Sequence, residues 1–328
     1  MKVLIIKTSS MGDVIHTLPA LSDAASAIPG IEFDWVVEKS FQDIPHWHPA
    51  VKRVLPIEFR KWRKTPLRSL LSKPWQEFYS AIREQKYDLV IDAQGLTKSA
   101  LLARLAHGQR HGLSSRSARD PIACIHYHKR HKVSWDQHAV SRLRHLFADA
   151  IGYDLPTTAP TYGIDPTQLQ PCDFAAPYVV FLHGTTWVTK LWPESYWAEL
   201  AARVIDAGFN LYLPSGNQEE YDRAKRIAGE LKNVTVMPRK EITELASILY
   251  SAKGAVAVDT GLGHLAAALE VPNVSLYGAT DAAMTGAFGK SQVHLQAKLS
   301  CAPCLQKQCT YKGAREVEPQ CFASLRPE

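Results

Sequence analysis

The chain has 328 residues, of which 46% are hydrophobic and 21% are charged. This length predicts two domains, at about 150 residues each, and the composition excludes a disordered chain, a collagen-like fibre and a small disulfide scaffold. The apolar run Val3–Ile6 is too short for a signal peptide, and no run of about 18 apolar residues follows. We therefore expect a cytoplasmic protein.

The positive charge is concentrated in the first half of the chain. The net charge is +6, and residues 51–150 hold 20 Lys and Arg against 8 Asp and Glu. This asymmetry predicts an anionic partner for the first half. Charge alone leaves nucleic acid, anionic lipid and a phosphorylated sugar open.

Short apolar runs alternate with amphipathic stretches in the first half, which predicts βαβ units. The predicted strands are Lys2–Lys7, Ile31–Glu38, Val51–Ile57 and Asp88–Asp92. The predicted helices are Val14–Ala27, Trp75–Gln85, Thr97–Ala106 and Trp135–Ile151. Residues 156–177 contain five prolines and little periodicity, which is typical of a linker.

The second half repeats the alternation. The predicted strands are Tyr178–His183, Phe209–Pro214, Val234–Pro238, Ala255–Asp259 and Val274–Tyr277. The predicted helices are Glu194–Ala207, Glu219–Leu231, Glu241–Ser251 and Gly263–Leu269. We expect two doubly wound Rossmann-like α/β domains, residues 1–155 and 178–328, with a ligand in the cleft between the carboxyl ends of their strands.

Three turns after predicted strands carry the chemistry. The first, Lys7-Thr8-Ser9-Ser10-Met11-Gly12-Asp13, brings a carboxylate to a helix start, where it serves either as a helix cap or as a general base. The second runs from His183-Gly184-Thr185-Thr186 to Lys190, and the third is Asp259-Thr260-Gly261-Leu262-Gly263-His264. Hydroxyls, a lysine and helix starts in one domain favour a nucleotide diphosphate.

These turns also carry a family resemblance. Residues 7–20, Arg60-Lys61-Trp62-Arg63-Lys64, Ile91-Asp92-Ala93-Gln94-Gly95 and the second and third turns resemble, in order, the lipopolysaccharide heptosyltransferases, and in particular those that add the first heptose. The resemblance covers residues 1–290. It implies the two-domain GT-B glycosyltransferase fold and transfer of L-glycero-D-manno-heptose from ADP-heptose to the Kdo of Kdo-lipid A.

The resemblance also implies roles for individual residues. Asp13 is the expected catalytic base of an inverting transfer. The expected donor-binding residues are Thr185, Thr186, Lys190, Glu220, Lys240, Asp259, Thr260, Gly261 and His264. Lys240 stands where the family usually has an apolar residue beside the adenine, so that its backbone or aliphatic stem would make the contact.

The basic first half matches an anionic lipid acceptor. Arg60, Arg63, Lys64, Arg119 and His138 are the expected acceptor-binding residues. The run at residues 60–64 is also typical of a solvated face, and it suits contact with the anionic inner-membrane leaflet. We expect a peripheral location on the cytoplasmic face of the inner membrane. No cofactor or metal is expected to be required, because lysine, hydroxyls and helix amides can stabilise the departing ADP.

The C-terminal segment departs from the type I pattern. Cys301, Cys304, Cys309 and Cys321 have spacings that fit either a tetrathiolate zinc site or four unrelated reduced thiols. The ratio of zinc to protein would distinguish these. Similar cysteine-rich endings occur in other heptosyltransferases, so an acceptor carrying a later inner-core heptose is an alternative.

Other classes of protein account less well for the sequence. A nicotinamide-dependent dehydrogenase should show GxGxxG after its first strand, which is missing. A sugar-nucleotide epimerase would not need a basic first domain. No nucleic acid is expected as a partner, because no stacking platform or binding motif accompanies the sequence pI of about 8.9.

Overall fold

Two compact units, Met1–Pro166 and Thr167–Glu328, make up the chain. The computed structural model describes residues 1–62, 64–65, 68–69, 71–172, 174 and 176–327. Each unit is built on one sheet of six parallel strands. The predicted class, two doubly wound α/β domains, is confirmed.

The sheet of the first unit has the order β3-β2-β1-β4-β5-β6. Its strands are β1 (Lys2–Ile6), β2 (Glu32–Glu38), β3 (Val51–Ile57), β4 (Lys86–Asp92), β5 (His107–Leu113) and β6 (Lys129–His131). The central strand β1 is apolar and buried after its first residue, as a parallel strand covered on both faces must be. The order reverses between β1 and β4, where ligands bind in open α/β sheets.

Helices cover both faces of this sheet. They are α1 (Met11–Ile15), α2 (Leu18–Ala27), α3 (Asp43–His46), α4 (Phe59–Trp62), α5 (Lys73–Glu84), α6 (Thr97–Ala103) and α7 (Ala139–Ile151). The single helix predicted over residues 14–27 is two helices, because Pro19 in the first turn of α2 lacks the N–H that a continuous helix needs. Gly152 ends α7 in the left-handed conformation, with φ of 90°.

The second unit has the equivalent order β12-β11-β10-β7-β8-β9. Its strands are β7 (Tyr178–Leu182), β8 (Asn210–Pro214), β9 (Val234–Met237), β10 (Gly254–Val258), β11 (Asn273–Tyr277) and β12 (Gln292–Gln296). Its helices are α8 (Glu194–Asp206), α9 (Gln218–Ala228), α10 (Ile242–Tyr250), α11 (Gly261–Ala268) and α12 (Ala282–Thr285). Here the order reverses between β7 and β10.

Three strands have no clear signal in the sequence. β5 contains two glycines, two histidines and an arginine, and β6 is Lys-Arg-His. β12 lies at a sheet edge and is largely exposed or half-buried. All three form because a neighbouring strand supplies the hydrogen-bonding ladder, which local propensity does not register.

Hydrogen bonds attach residues of the candidate linker to each of the two units. Asp165 donates its amide to the carbonyl of Trp47 in the first unit, and Cys172 donates its amide to Ser251 in the second. In the part of the chain that the structure describes, no helix combines the length and the apolar character that crossing a bilayer requires.

Candidate functional site

Asp13 lies at the carboxyl end of β1, in the first turn of α1. Its Oδ2 accepts hydrogen bonds from the amide and the hydroxyl of Ser10, at 2.9 and 2.8 Å. The carboxylate therefore caps the helix, as the structural interpretation predicts. Its side chain remains 42% exposed, so a second partner has room to approach.

A buried lysine stands behind this carboxylate. Lys7 Nζ lies 3.7 Å from Asp13 Oδ1 and donates to the carbonyl of Ala93 at 2.9 Å. Desolvation acts to raise the pKa of Asp13, but the Lys7 charge and the Ser10 donors outweigh it, and the pKa lies below its ordinary value. Asp13 is therefore ionised at neutral pH. Burial in turn lowers the pKa of Lys7.

The end of β4 holds the turn in place. Gln94 Oε1 accepts from the amides of Thr8 and Ser9, at 3.0 and 3.2 Å. The carboxylate of Asp92 is fully buried and accepts from the amides of Gln94 and Gly95. The turn that presents Asp13 is thus fixed from the adjacent strand, at the point where the strand order reverses.

Two of the predicted acceptor-binding residues lie beside Asp13. The Arg119 charge is close enough to lower the pKa of Asp13, and its side chain is exposed. His138 packs its ring against His16, three residues after Asp13, with 5.4 Å between the ring centroids. His138 also caps α7 by accepting from the amide of Val140.

The basic run lies further along the same edge. Arg60 is in α4, which follows β3. In the sheet, β3 is two strands away from β1, so the two strands lie about 10 Å apart at the usual strand spacing. Lys64 is exposed. Arg63 lies outside the described residues. The helix that holds Arg60 follows the carboxyl end of β3.

In the second unit, polar residues follow five neighbouring strands, and all of them except Thr280 are predicted donor residues. Thr280 follows β11, Asp259 follows β10, Thr185 follows β7, Glu220 follows β8 and Lys240 follows β9, which is their order along the sheet edge. The Thr185 hydroxyl donates to the backbone carbonyl of Asp259 at 3.0 Å. The structure therefore joins the second and third sequence motifs at the reversal between β7 and β10.

A buried ion pair forms the centre of this edge. Lys190 Nζ lies 2.7 Å from Asp259 Oδ2, which also accepts from the Thr280 hydroxyl at 2.6 Å. His264 Nε2 lies 3.8 Å from Asp259 Oδ1. Desolvation acts to raise the pKa of Asp259, but its bond to His264 and the Lys190 charge outweigh it, so that pKa is well below its ordinary value.

The remaining donor candidates lie in the turns and helix starts that follow strands of the same sheet. Gly261 begins α11 and Thr260 is its N-cap residue. Thr186 is exposed. Glu220 accepts from the amide of Gly216 at 2.7 Å. Lys240 forms an ion pair with Glu244 one turn further along the chain, so its ammonium group already has a partner.

The C-terminal cysteines lie close to one another. Burial raises the pKa of Cys321 to about 11, with further contributions from Cys304, Cys309 and Cys301. All four are free thiols. Among the described residues, no group of three or more His, Cys, Asp or Glu is arranged to hold a metal ion. The zinc site stays a prediction.

Three site residues received no role from the sequence. They are Lys7, Gln94 and Thr280, and each comes at or just after the end of a central strand. A lysine directly after a buried apolar strand could have been recognised from the sequence, because a charged side chain is buried only when it has a partner. Gln94 and Thr280 are recognisable only from the contacts made by the neighbouring turns.

The two sheets with these polar strand ends have the GT-B glycosyltransferase fold. The chain belongs to glycosyltransferase family 9, the heptosyltransferases, whose family model matches residues 75–315.

Similar proteins agree with this assignment. The chain is 53% identical to lipopolysaccharide heptosyltransferase 1 of Pseudomonas aeruginosa, an alignment that covers all of this chain and 95% of that protein. It is also similar to two structures of the Escherichia coli heptosyltransferase WaaC. The one with ADP has a TM-score of 0.85 at 49% identity, and the one with ADP-2-deoxy-2-fluoro heptose has 0.82 at 48%, each covering 91% of this chain and 94% of the other.

Proposed function

We propose that this protein is an inverting heptosyltransferase that transfers L-glycero-D-manno-heptose from ADP-heptose to the Kdo of Kdo-lipid A. The observation that carries the proposal is the buried Lys190–Asp259 pair at the strand-order reversal of the second unit. A cation and hydroxyl groups at such a place suit a nucleotide diphosphate. The similar E. coli protein was solved with ADP and with an ADP-heptose analogue.

In this proposal the acceptor oxygen is activated by Asp13. Its ionised carboxylate accepts the proton of the Kdo hydroxyl while the oxygen attacks the anomeric carbon of the donor. The bond between that carbon and the diphosphate oxygen breaks, and ADP leaves with the electron pair. Attack opposite the leaving group inverts the configuration. Asp13 then returns its proton to water.

The departing diphosphate is stabilised by the second unit. The ammonium group of Lys190 would move part of the way from Asp259 to the phosphate oxygens of the donor. The hydroxyls of Thr185 and Thr186 would donate hydrogen bonds to the same phosphate oxygens. Glu220 would accept from the ribose hydroxyls. Asp259 and His264 would then face the donor sugar and the phosphates.

The anionic acceptor would be held by the first unit. Arg119 and His138 would bind a carboxylate or phosphate near Asp13, and the Arg60, Arg63 and Lys64 run would contact the phosphorylated lipid further out. This division makes residues 1–155 the acceptor domain and 178–328 the donor domain. Because the acceptor is a membrane lipid, the enzyme would work at the periphery of an anionic membrane, on its cytoplasmic face.

The direct test is incubation with ADP-heptose and Kdo-lipid A, followed by mass analysis of the lipid. We expect the mass of one added heptose. A parallel reaction uses an acceptor that already carries the first heptose. Transfer only to that second acceptor would assign the enzyme to a later inner-core step, and no transfer to either would overturn the proposal.

Replacing Asp13 with Asn tests the base. The amide oxygen can still accept from Ser10, so the fold and the ADP affinity should be retained, while kcat should fall at least about 100-fold because the base is lost. Turnover, ADP titration and melting temperature would be measured together. Asp136→Asn, at an exposed position of the same unit, is the control. Near-normal turnover in Asp13→Asn would remove this residue from the mechanism.

A further inference from the structure

Two helices of the first unit that pack against each other expose aliphatic side chains. Leu101 in α6 is 49% exposed, and Ile122 and Ile125 in the 3-10 helix Pro121–His126 are 62% and 64% exposed. Single exposed aliphatic residues are ordinary, but a group of them on one surface indicates an interaction site.

The two helices form one platform. Ala123, Cys124 and Tyr127 are buried against Ala100 of α6. Residues three apart in a 3-10 helix project from the same side, so Ile122 and Ile125 point outward together while Ala123 and Cys124 point inward. Leu101 follows Ala100 on the partner helix. We call Leu101, Ile122 and Ile125 the aliphatic face.

The platform is fastened by its only acidic residue. Asp120 accepts from the amide of Thr97 at 3.1 Å, at the start of α6, and from the amide of Ile122 at 3.2 Å. Its carboxylate thus caps the 3-10 helix and ties it to α6. The outward position of the two isoleucines is therefore built into the fold.

The segment of the chain that carries the aliphatic face is strongly basic. Residues 98–132 contain eight Lys and Arg, and Asp120 is the single acid among them. Arg110 donates to the carbonyl of His126 at 2.9 Å, and Arg104 is close enough to lower the pKa of Arg110. Arg110 thus lies beside the 3-10 helix with Arg104 near it, and the Asp120 carboxylate is already engaged by backbone donors.

We propose that the aliphatic face docks onto an anionic phospholipid bilayer. The isoleucines would enter the boundary between headgroups and acyl chains while the surrounding bases bind the phosphates, the pair of signals that stable peripheral binding requires. Arg119 immediately precedes this platform, so docking would bring the acceptor side of Asp13 to the membrane. The inference deepens the proposed function, whose acceptor is a lipid, but its test needs no substrate.

Vesicle flotation tests the docking with the full-length protein. The vesicles are pure phosphatidylcholine or a mixture of phosphatidylcholine and phosphatidylglycerol. The unaltered protein should float with the anionic vesicles only, and less at high salt. Ile122→Ser with Ile125→Ser should reduce its partition at least about ten-fold, because two aliphatic side chains no longer leave water. The control is Val293→Ser with Leu295→Ser, an exposed aliphatic pair on β12 of the second unit, which should bind like the unaltered protein.

Several results would overturn the docking. They are failure of the unaltered protein to bind, equal binding to neutral vesicles, and equal effects of the two double variants. Sedimentation showing that the isoleucine variant breaks a dimer would make this surface a contact between copies instead. Leu101→Ser, a milder change in the same surface, repeats the test if the double variant has a lowered melting temperature.

Different results would refute the docking and the proposed function. With a detergent-dispersed acceptor, the isoleucine variant should keep the transfer rate of the unaltered protein, since neither side chain belongs to the reaction site. If the unaltered protein binds anionic vesicles but transfers no heptose, the docking stands and the proposed function fails. If transfer occurs without vesicle binding, the reverse holds.

Discussion

At the scale of single residues, Asp13 shows that a helix cap and a general base are compatible roles. One oxygen of its carboxylate is occupied by the two Ser10 donors, and the exposed remainder is free for an acceptor. Lys7, buried behind it, pairs with Asp13 and donates to the Ala93 carbonyl. Lys7 is therefore a positioning residue that keeps the base ionised.

Replacing Lys7 with Met should move the pH profile of the reaction. The pKa of Asp13 is lowered. The loss of kcat/KM that follows protonation of Asp13 should therefore occur below about pH 4, the ordinary pKa range of a free Asp. Without the Lys7 charge this pKa rises, and the acid limb should shift to higher pH.

The measurement is kcat/KM against pH, with Lys2→Met as the control. Lys2 is exposed at the opposite end of β1. An unchanged acid limb in Lys7→Met, or an equal shift in both variants, would contradict the role given to Lys7.

At the scale of elements, both candidate sites are made by the turns that follow parallel strands. The turn after β7 needs glycine at position 184 for a steric reason, because a Cβ there would lie 2.7 Å from Cδ of Glu220. The end of a flexible side chain can move aside at little cost in stability. Gly184 therefore leaves the space that the Glu220 carboxylate occupies.

Gly184→Ala should weaken ADP binding without much loss of stability. Displacing Glu220 removes the proposed ribose contact, which is worth about ten-fold in affinity for a charged hydrogen-bond partner. Calorimetric titration with ADP and a thermal melt would be compared with Gly289→Ala, where the added Cβ meets nothing closer than 3.4 Å. A lowered melting temperature with unchanged ADP affinity would show that Gly184 serves packing instead.

Strand β5 gives the fold a pH dependence. His111 is buried and bonded to His131 at 3.1 Å, and burial, followed by the charges of His131, Lys129 and His128, lowers its pKa to about 4. The native state therefore binds fewer protons than the unfolded chain between about pH 6.5 and 4. Stability should fall as the pH falls through this window, by up to about 1.4 kcal/mol per pH unit for this histidine.

Melting temperatures between about pH 7 and pH 5 measure this dependence. His111→Gln should reduce its slope, because buried His48 and His183, whose pKa values burial also lowers to about 4, still contribute. His107→Gln, at an exposed position of the same strand, should leave it as it is. Equal slopes in the two variants would refute the role assigned to His111.

At the scale of the whole molecule, the basic excess of residues 51–150 and the donor-type residues of the second unit lie in different compact units. Changes in one unit should accordingly affect one substrate. Each kinetic constant then reports on the unit that holds the corresponding substrate.

Reversing charges in the basic run tests this division. Arg60→Glu with Arg63→Glu should raise the KM for the acceptor several-fold, since like charges repel its phosphates, and leave the ADP affinity unchanged. Lys253→Glu with Lys290→Glu, at exposed positions of the second unit, is the matched control. Equal loss of acceptor and ADP binding in the first variant would indicate misfolding rather than a lost acceptor contact.

The sequence by itself determined the alternation of strands and helices, the three turns and the family. Buried parallel strands are continuous apolar runs, and the turns that follow them need small, hydroxyl and acidic residues, so both leave local patterns. Strands β5, β6 and β12 left none, because their neighbours, not their own residues, hold them in the sheet. Only the tertiary structure joined Lys190 to Asp259, Lys7 to Asp13 and Gln94 to the first turn, since strand order, which no local pattern encodes, decides which turns meet.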